Sequence, residues 1–397
     1  MMYMKRFVNY NVLLVALLSI VCVSANAQGE KDNVFNPINT AIPSLSIAPD
    51  ARGGGMGDNG AATLPDINSQ HWNPSKYAFM YSKAGVAVSY TPWLRKLVSD
   101  VALVYAAGYY KLGQSDRSAI SASLRYFSLG EVPLYEYGGA KYQDINPYEM
   151  AFDASYSMKL SESGSMAVTL RYIRSDMGAN AEDELEPDNG FAADLSGYLE
   201  KYVYIGQSEA LWSAGFNISN IGTKISFDGG TTNQFLPANL KIGTGLLYPI
   251  DEYNQIGVYL DLNKYLVPTK PLQKENESDS DYDTRYKEYN DMSNPFTAAF
   301  KSFSDAPGGF SEELKEINYS LGLEYSYNNQ FFVRGGYYHE NKMKGNRQFF
   351  SAGAGFKMNV FQLDVAYLIS TVQSNPLDQT LRFSLSFDMD GLKSLFD

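Results

Sequence analysis

Apolar and polar residues alternate along most of this chain in segments of about ten, and the gaps between segments alternate short and long. Leu381, Phe383, Leu385 and Phe387 interleave with Arg382, Ser384, Ser386 and Asp388. Ile317, Tyr319, Leu321, Leu323 and Tyr325 interleave with Asn318, Ser320, Gly322, Glu324 and Ser326. Met150, Phe152, Ala154, Tyr156 and Met158 alternate with Asp153, Ser155, Ser157 and Lys159. A strand sends successive side chains to opposite faces, so each segment has one apolar face and one polar face. Many such segments in series predict an all-β transmembrane barrel with lipid outside and a polar lumen.

Fourteen strands are predicted, beginning near Ala84, Val98, Arg117, Tyr148, Gly164, Gly190, Ala210, Pro237, Asn254, Glu316, Gln330, Asn346, Val360 and Gln379. An even, antiparallel set lets the first strand pair with the last, and closure is obligatory because unpaired backbone in lipid costs several kcal/mol per group. The gaps after even-numbered strands are tight, that after the sixth (202–209) being somewhat longer. Those after odd-numbered strands include 130–147, 178–189, 222–236 and 267–315. Short turns face the periplasm and long loops the exterior. A soluble β-sandwich is the alternative, but it rarely supplies so many long strands behind an export signal.

That signal is read in residues 1–27. Lys5 and Arg6 precede an apolar stretch from position 12 to 23, and Ala25-Asn26-Ala27 fits a cleavage site. The stretch is short for a membrane anchor, and Val21 before Cys22 does not suit lipidation. The only cysteine is in the signal, so no disulfide or thiolate site is expected. Removing Lys5 and Arg6 takes the formal charge from -12 to -14, which argues against nucleic acid as a partner. The 31 tyrosines and 22 phenylalanines suit the aromatic girdles of a barrel.

Residues 28–83 lack sustained alternation and precede the barrel at 84–397. Gly55-Met56-Gly57-Asp58-Asn59-Gly60 matches a dinucleotide fingerprint formally, but no strand precedes it and no βαβ unit follows. A compact plug inside the pore is expected instead, and no cofactor. Arg52, Gly53, Gly54, Gly55, Met56 and Gly57, then Leu64-Pro65-Asp66, then His71-Trp72-Asn73-Pro74-Ser75 resemble the N-terminal hatch of the FadL-type family. Ile67 stands where a second acid is usual, and Ser75 where alanine is. The resemblance implies a fourteen-stranded outer-membrane barrel plugged by its hatch.

Two further stretches, 262–271 (Leu262, Asn263, Lys264 through Thr269, Lys270, Pro271) and 302–314 (Ser302, Phe303, Ser304, Asp305 through Glu313, Leu314), resemble the PorV group of type IX secretion components. That resemblance implies a shuttle that receives the C-terminal signal domains of secreted proteins at a translocon barrel. It then presents them to a sortase-containing complex that attaches them to lipopolysaccharide, with no covalent chemistry of its own.

In the longest gap, Phe296, Ala299, Phe300 and Phe303 have the spacing of one helix face, with Asn294-Pro295 as its start. These phenylalanines either anchor a partner or pack onto neighbouring loops and cap the lumen. Glu275 to Asp291 reads as a solvated or mobile acidic segment. Trp93 and Leu94, Val132 to Tyr135 (with Leu134), Phe235 and Phe310 add apolar side chains to the outer loops, each a possible cargo contact or a member of the interfacial belt.

Glu182, Asp183, Glu184, Glu186 and Asp188 crowd one loop but lack calcium-loop spacing, so a solvated acidic loop is expected and no metal. Catalysis has little support. The histidines are His71 and His339, Met343 stands where a zinc helix would need its second histidine, and no nucleophile elbow is present. A FadL-like channel for hydrophobic small molecules is the rival to cargo binding and would need an apolar pocket between hatch and wall. A scaffold whose wall contacts a larger translocon barrel is a third reading.

Overall fold

The computed structural model describes residues 35–93, 100–113, 116–135, 139, 141–178, 186–227, 233–273, 277–372 and 379–389. The expected signal, Leu94 and Glu182 to Glu184 lie outside them. No described helix is long and apolar enough to cross a membrane.

Eighteen strands form among the described residues. Fourteen close into one antiparallel barrel in the order β1-β2-β3-β6-β7-β8-β9-β12-β13-β14-β15-β16-β17-β18. In chain order the barrel strands are β1 (Ala84–Pro92), β2 (Val101–Leu112), β3 (Ser118–Leu129), β6 (Tyr148–Lys159), β7 (Gly164–Asp176), β8 (Asp188–Ile205) and β9 (Ser208–Gly222). There follow β12 (Asn239–Pro249), β13 (Asn254–Tyr265), β14 (Asn318–Tyr327), β15 (Phe331–His339), β16 (Gln348–Lys357), β17 (Phe361–Ser370) and β18 (Leu381–Asp388). The seam is closed by β1 and β18, from Gly85 opposite Asp388 to Tyr90 opposite Phe383. Each expected strand start falls within three residues of an observed one.

Side-chain alternation becomes the two faces of the wall. On β6, Phe152, Tyr156 and Met158 are exposed to the lipid side, while Asp153, Ser155 and Ser157 are buried in the lumen. The turn from β14 to β15 carries Asn328 and Asn329, both at positive φ (53° and 51°). Asparagine tolerates that conformation, and its twist suits a tight hairpin.

The remaining strands decorate the outer loops: β4 (Val132–Tyr135) pairs with β5 (Lys141–Ile145), and β10 (Lys224–Ile225) with β11 (Gln234–Phe235). One gap is corrected at the periplasmic end. The stretch 202–209 is not a longer loop; β8 runs for 18 residues and β9 for 15, joined only through Gly206 and Gln207.

The hatch fills the bore as short helices, Ala51–Gly54 and Ser69–Trp72, and 3₁₀ turns, Pro43–Ser46 and Pro74–Phe79. Short pieces leave many backbone groups unpaired, and the polar inner wall satisfies them. Asp261 of β13 accepts from the N–H groups of Gly60 and Ala61 (2.8 and 2.9 Å), Ser384 of β18 from Ala51 N–H (2.8 Å), and Ser351 of β16 from Gly57 N–H (2.8 Å). In return, Asn73 donates to the carbonyls of Ala61 and Gly197 (2.8 and 2.9 Å). Bonds to so many strands fasten the plug around the full wall.

Candidate functional site

The hatch motif is structural in every member. Arg52 donates to Asp66 (2.7 Å) within the hatch and to both carboxylate oxygens of Glu324 on β14 (3.1 and 3.0 Å). Glu324 also accepts from Arg334 (2.6 Å), which reaches Asp364 on β17 (2.6 Å). Buried charges in such a chain are tolerable because each meets its opposite. Met56 is buried, and Gly55 and Gly57 bring the hatch backbone against the wall. A Cβ on Gly57 would lie 2.7 Å from Tyr337 N, at a φ of +72° that disfavours side chains. Asn73 caps the turn that begins at Pro74.

With the bore filled, little room remains on the outer side. A void of about 80 Å³ there is lined by Asp58, His71, Lys241 and Arg347 beside Trp72 and Phe349. Pockets that take small organic ligands are ordinarily about 300–1,000 Å³ and mostly apolar. On the periplasmic side, beneath the hatch, a second cavity of about 600 Å³ has a mixed lining that includes Glu200, Tyr202, Phe332 and Lys357. His71 of the hatch pairs with Arg125 of β3 (2.9 Å), whereas His339 stacks on Tyr319 at 4.7 Å in the wall. The two histidines thus belong to different structural elements.

Above the bore, the described residues of the loop between β13 and β14 form three helices, Asp279–Asp291, Pro295–Lys301 and Phe310–Lys315. Where the sequence reads as a solvated or mobile acidic segment, the first forms a helix with no buried residue. Ser278 caps it by accepting from Asp281 N–H, and acids in its first turn favour the positive end of the helix dipole. Its Tyr282, Tyr286 and Tyr289 form a row, with centroid spacings of 6.0 and 6.4 Å, that ends on Phe235 at 6.5 Å.

Asn294 caps the second helix as expected, accepting from Phe296 and Thr297 N–H. It sits down on small side chains: Ala298 is buried against Phe235, Ala238, Leu266 and Val267, with Ile218 and Ile221 of β9 alongside. The opposite side is left open. Phe296 is 64% exposed, Phe300 79% and Phe310 77%, while Phe303 is half-exposed with Lys264 5.7 Å from its ring.

This loop is held by a buried charge cluster that sequence reasoning missed. Lys264, at the end of β13, donates to Glu313 (3.0 Å) and Glu316 (2.6 Å), and Lys344 donates to Glu316 (2.9 Å) and to Glu312. Thr269 N–H and Oγ1 bond to Asp305 (3.1 Å) and Glu316 (2.7 Å). The two stretches singled out for resemblance, 262–271 and 302–314, are therefore the two halves of one fastening. Their spacing along the chain concealed it.

Asp305 is pushed up to about 7, first by burial and then by the charges of Glu313 and Glu316. Burial also acts to raise Glu316, but hydrogen bonds from Lys264, Thr269 and Lys344 outweigh it and hold that carboxyl below its ordinary range.

Two of the named rim aromatics pack inward, Trp93 in part and Phe235 almost fully. Trp93 packs over Phe127 at 5.1 Å and touches the clusters of Leu103 and Phe349, so it lids the lumen. Phe235 is 7% exposed and lies under the loop helix. Both were named for apolar character, which does not distinguish a rim anchor from a rim plug. Leu134 is half-buried and Tyr135 exposed, both on the β4–β5 hairpin. In the acidic loop, Glu186 N–H donates to Phe227 O, and Asp188 accepts from Ser226 N–H.

Among solved structures, the chain is similar to the Pseudomonas putida toluene transporter TodX (10% identity, TM-score 0.49, covering 89% of this chain and 98% of that one). It is also similar to a Pseudomonas aeruginosa FadL homologue (11% identity, TM-score 0.42, covering 89% and 100%). No curated protein matches the chain. The family model for the type IX secretion system protein PorV matches residues 28–272 of 397, which is more than half of the sequence and includes the hatch and the first half of the loop fastening. With its hatch-plugged, fourteen-stranded barrel in the outer membrane, the chain belongs to the PorV family of the type IX secretion system.

Proposed function

We propose that this protein is the outer-membrane shuttle of its secretion system. It binds the C-terminal signal domain of a secreted protein as that domain leaves the translocon barrel, and delivers the cargo to the sortase-containing attachment complex at the lipopolysaccharide surface. Family membership supports the secretion setting. One observation carries the binding role: Phe296, Phe300, Phe303 and Phe310 are presented outward from a loop whose base is fastened by buried ion pairs.

Large apolar side chains clustered outside a folded surface mark contact sites, and aromatic anchors dominate binding energy. A loop ordered before the partner arrives loses less conformational entropy on binding. The plugged bore supports recognition at the rim. Tyr135 and Leu134 on the β4–β5 hairpin extend the same proposed surface.

The test is a pull-down of cargo through its C-terminal domain. Phe296→Ser, Phe300→Ser and Phe303→Ser together should abolish capture while the barrel keeps its heat-modifiable mobility in gels. Undiminished capture would reject these side chains as the anchor.

A further inference from the structure

At the periplasmic mouth the barrel wall is uneven. Pairing of β7 with β8 ends at Gly164 opposite Leu199, whereas β8 and β9 stay paired to Ile205 opposite Ser208. The hairpin tip therefore overhangs its neighbour, and among the described residues no strand covers the edge of β8 beyond Leu199. Glu200 N–H still donates to Ser163 O (2.9 Å). Backbone groups alternate sides along a strand, so the N–H and C=O of Tyr202 and Tyr204 turn toward that same open side.

The inner face of the overhang borders the cavity of about 600 Å³, through Glu200, Tyr202, Glu209 and Leu211. Deeper in, Arg52 and Arg334 are matched by Asp66, Glu324 and Asp364. Toward the mouth Glu200 and Glu209 of the overhang line it together with Lys357, and Lys159 reaches over the ring of Phe79 in the same lining at 4.2 Å.

We propose that this overhang and the cavity behind it form a periplasmic docking site for an extended basic segment of a partner polypeptide, which adds as a strand along the open edge of β8. An unpaired edge is a template for main-chain hydrogen bonds, and natural proteins ordinarily blunt or cover one. Here two residues offer two donors and two acceptors beside a cavity. Every second side chain of an added strand would point to the face of Tyr202 and Tyr204. Lysine or arginine at those positions meets the carboxylates, and the intervening aliphatic or aromatic side chains turn to the opposite face of the added strand. A small amphiphile could satisfy the lining but would leave the edge unpaired, so the backbone selects a polypeptide.

The full chain in a zwitterionic detergent is titrated with a fluorescent ten-residue peptide alternating lysine with leucine or tyrosine. Two comparison peptides carry glutamate for lysine, or N-methyl groups at alternate amides. The lysine peptide should bind about tenfold tighter than either. Tyr204→Thr removes the ring and keeps the edge N–H; Tyr204→Pro removes both and spares the β9 ladder. The proline variant should bind about tenfold more weakly than the threonine variant, and Glu200→Gln with Glu209→Gln about tenfold more weakly than the unaltered chain.

Equal binding of the lysine and glutamate peptides, or of the two Tyr204 variants, would overturn the proposal. If the proline variant does not fold, the N-methyl peptide on the unaltered chain decides the same point. Cargo capture at the outer loop is unaffected by these changes, so the two sites fail separately.

Discussion

Arg52 of the hatch and Glu324 of β14 form a two-pronged ion pair, at 3.1 and 3.0 Å, between residues 272 positions apart. Both are almost fully buried. Removing one partner of such a pair strands the other charge, so Arg52→Ala should cost about 3–5 kcal/mol of stability. Arg52→Lys keeps the charge but not the fork, and should recover only part of the loss. The midpoint of the heat-induced gel-mobility shift measures both.

The close approach of Gly57 to β15 sets a steric limit. A Cβ on Gly336 would lie 2.1 Å from Gly57 N, whereas one on Gly335 would meet nothing within 4 Å. Gly336→Ala should therefore cost roughly 1–3 kcal/mol through forced backbone shifts and expose the hatch to added protease. Gly335→Ala should behave like the unaltered protein in the same digestion.

The outer-loop fastening should depend on pH through two carboxyls of opposite sense. Asp305 is raised to about 7 in the folded loop, so the fold binds its proton more tightly than the unfolded chain does. Its stabilising effect is full below the ordinary carboxylate range and is lost as pH rises toward 7. Glu316 is lowered, so its contribution is present above the ordinary range and is lost as pH falls below it. The two effects overlap best within the ordinary carboxylate range, where the loop should be tightest. Asp305→Asn should abolish the loss of hydrogen-exchange protection at 267–315 between pH 5 and about 8, and unchanged pH dependence would exclude Asp305 as its source.

Lys264 and Lys344 converge on Glu316, whose side chain is fully buried. Lys264→Met with Lys344→Met leaves that carboxylate without a cation and should loosen the loop by about 3–5 kcal/mol. Faster cleavage within 267–315 and weaker cargo capture should appear together, although every phenylalanine is intact. Capture at full strength from a readily cleaved loop would show that the anchor needs no fixed base.

The barrel and its plug could be read directly from the chain because their signals are local. Alternation with period two marks a strand wherever it occurs, and glycines at 53–55 and 57 mark a backbone that must approach another closely. The start of the Phe296 helix was equally legible, since Asn294 and Pro295 act on the next few residues.

What the chain did not reveal was which distant residues would meet. Pairing of β13 with β14 and the fold of the loop between them bring Lys264 within reach of Glu313 across 49 positions, and no local pattern distinguishes that lysine from a solvated one. The same limit hid the partial burial of Trp93 and the burial of Phe235, because apolar character sets a preference for leaving water but not the surface that will cover it. Local periodicity determined the strands, their order and the two faces of the wall. Only the closed cylinder, by fixing the neighbours of each rim residue, decided which loops are fastened, which aromatic side chains stay exposed and where an edge of β8 is left open.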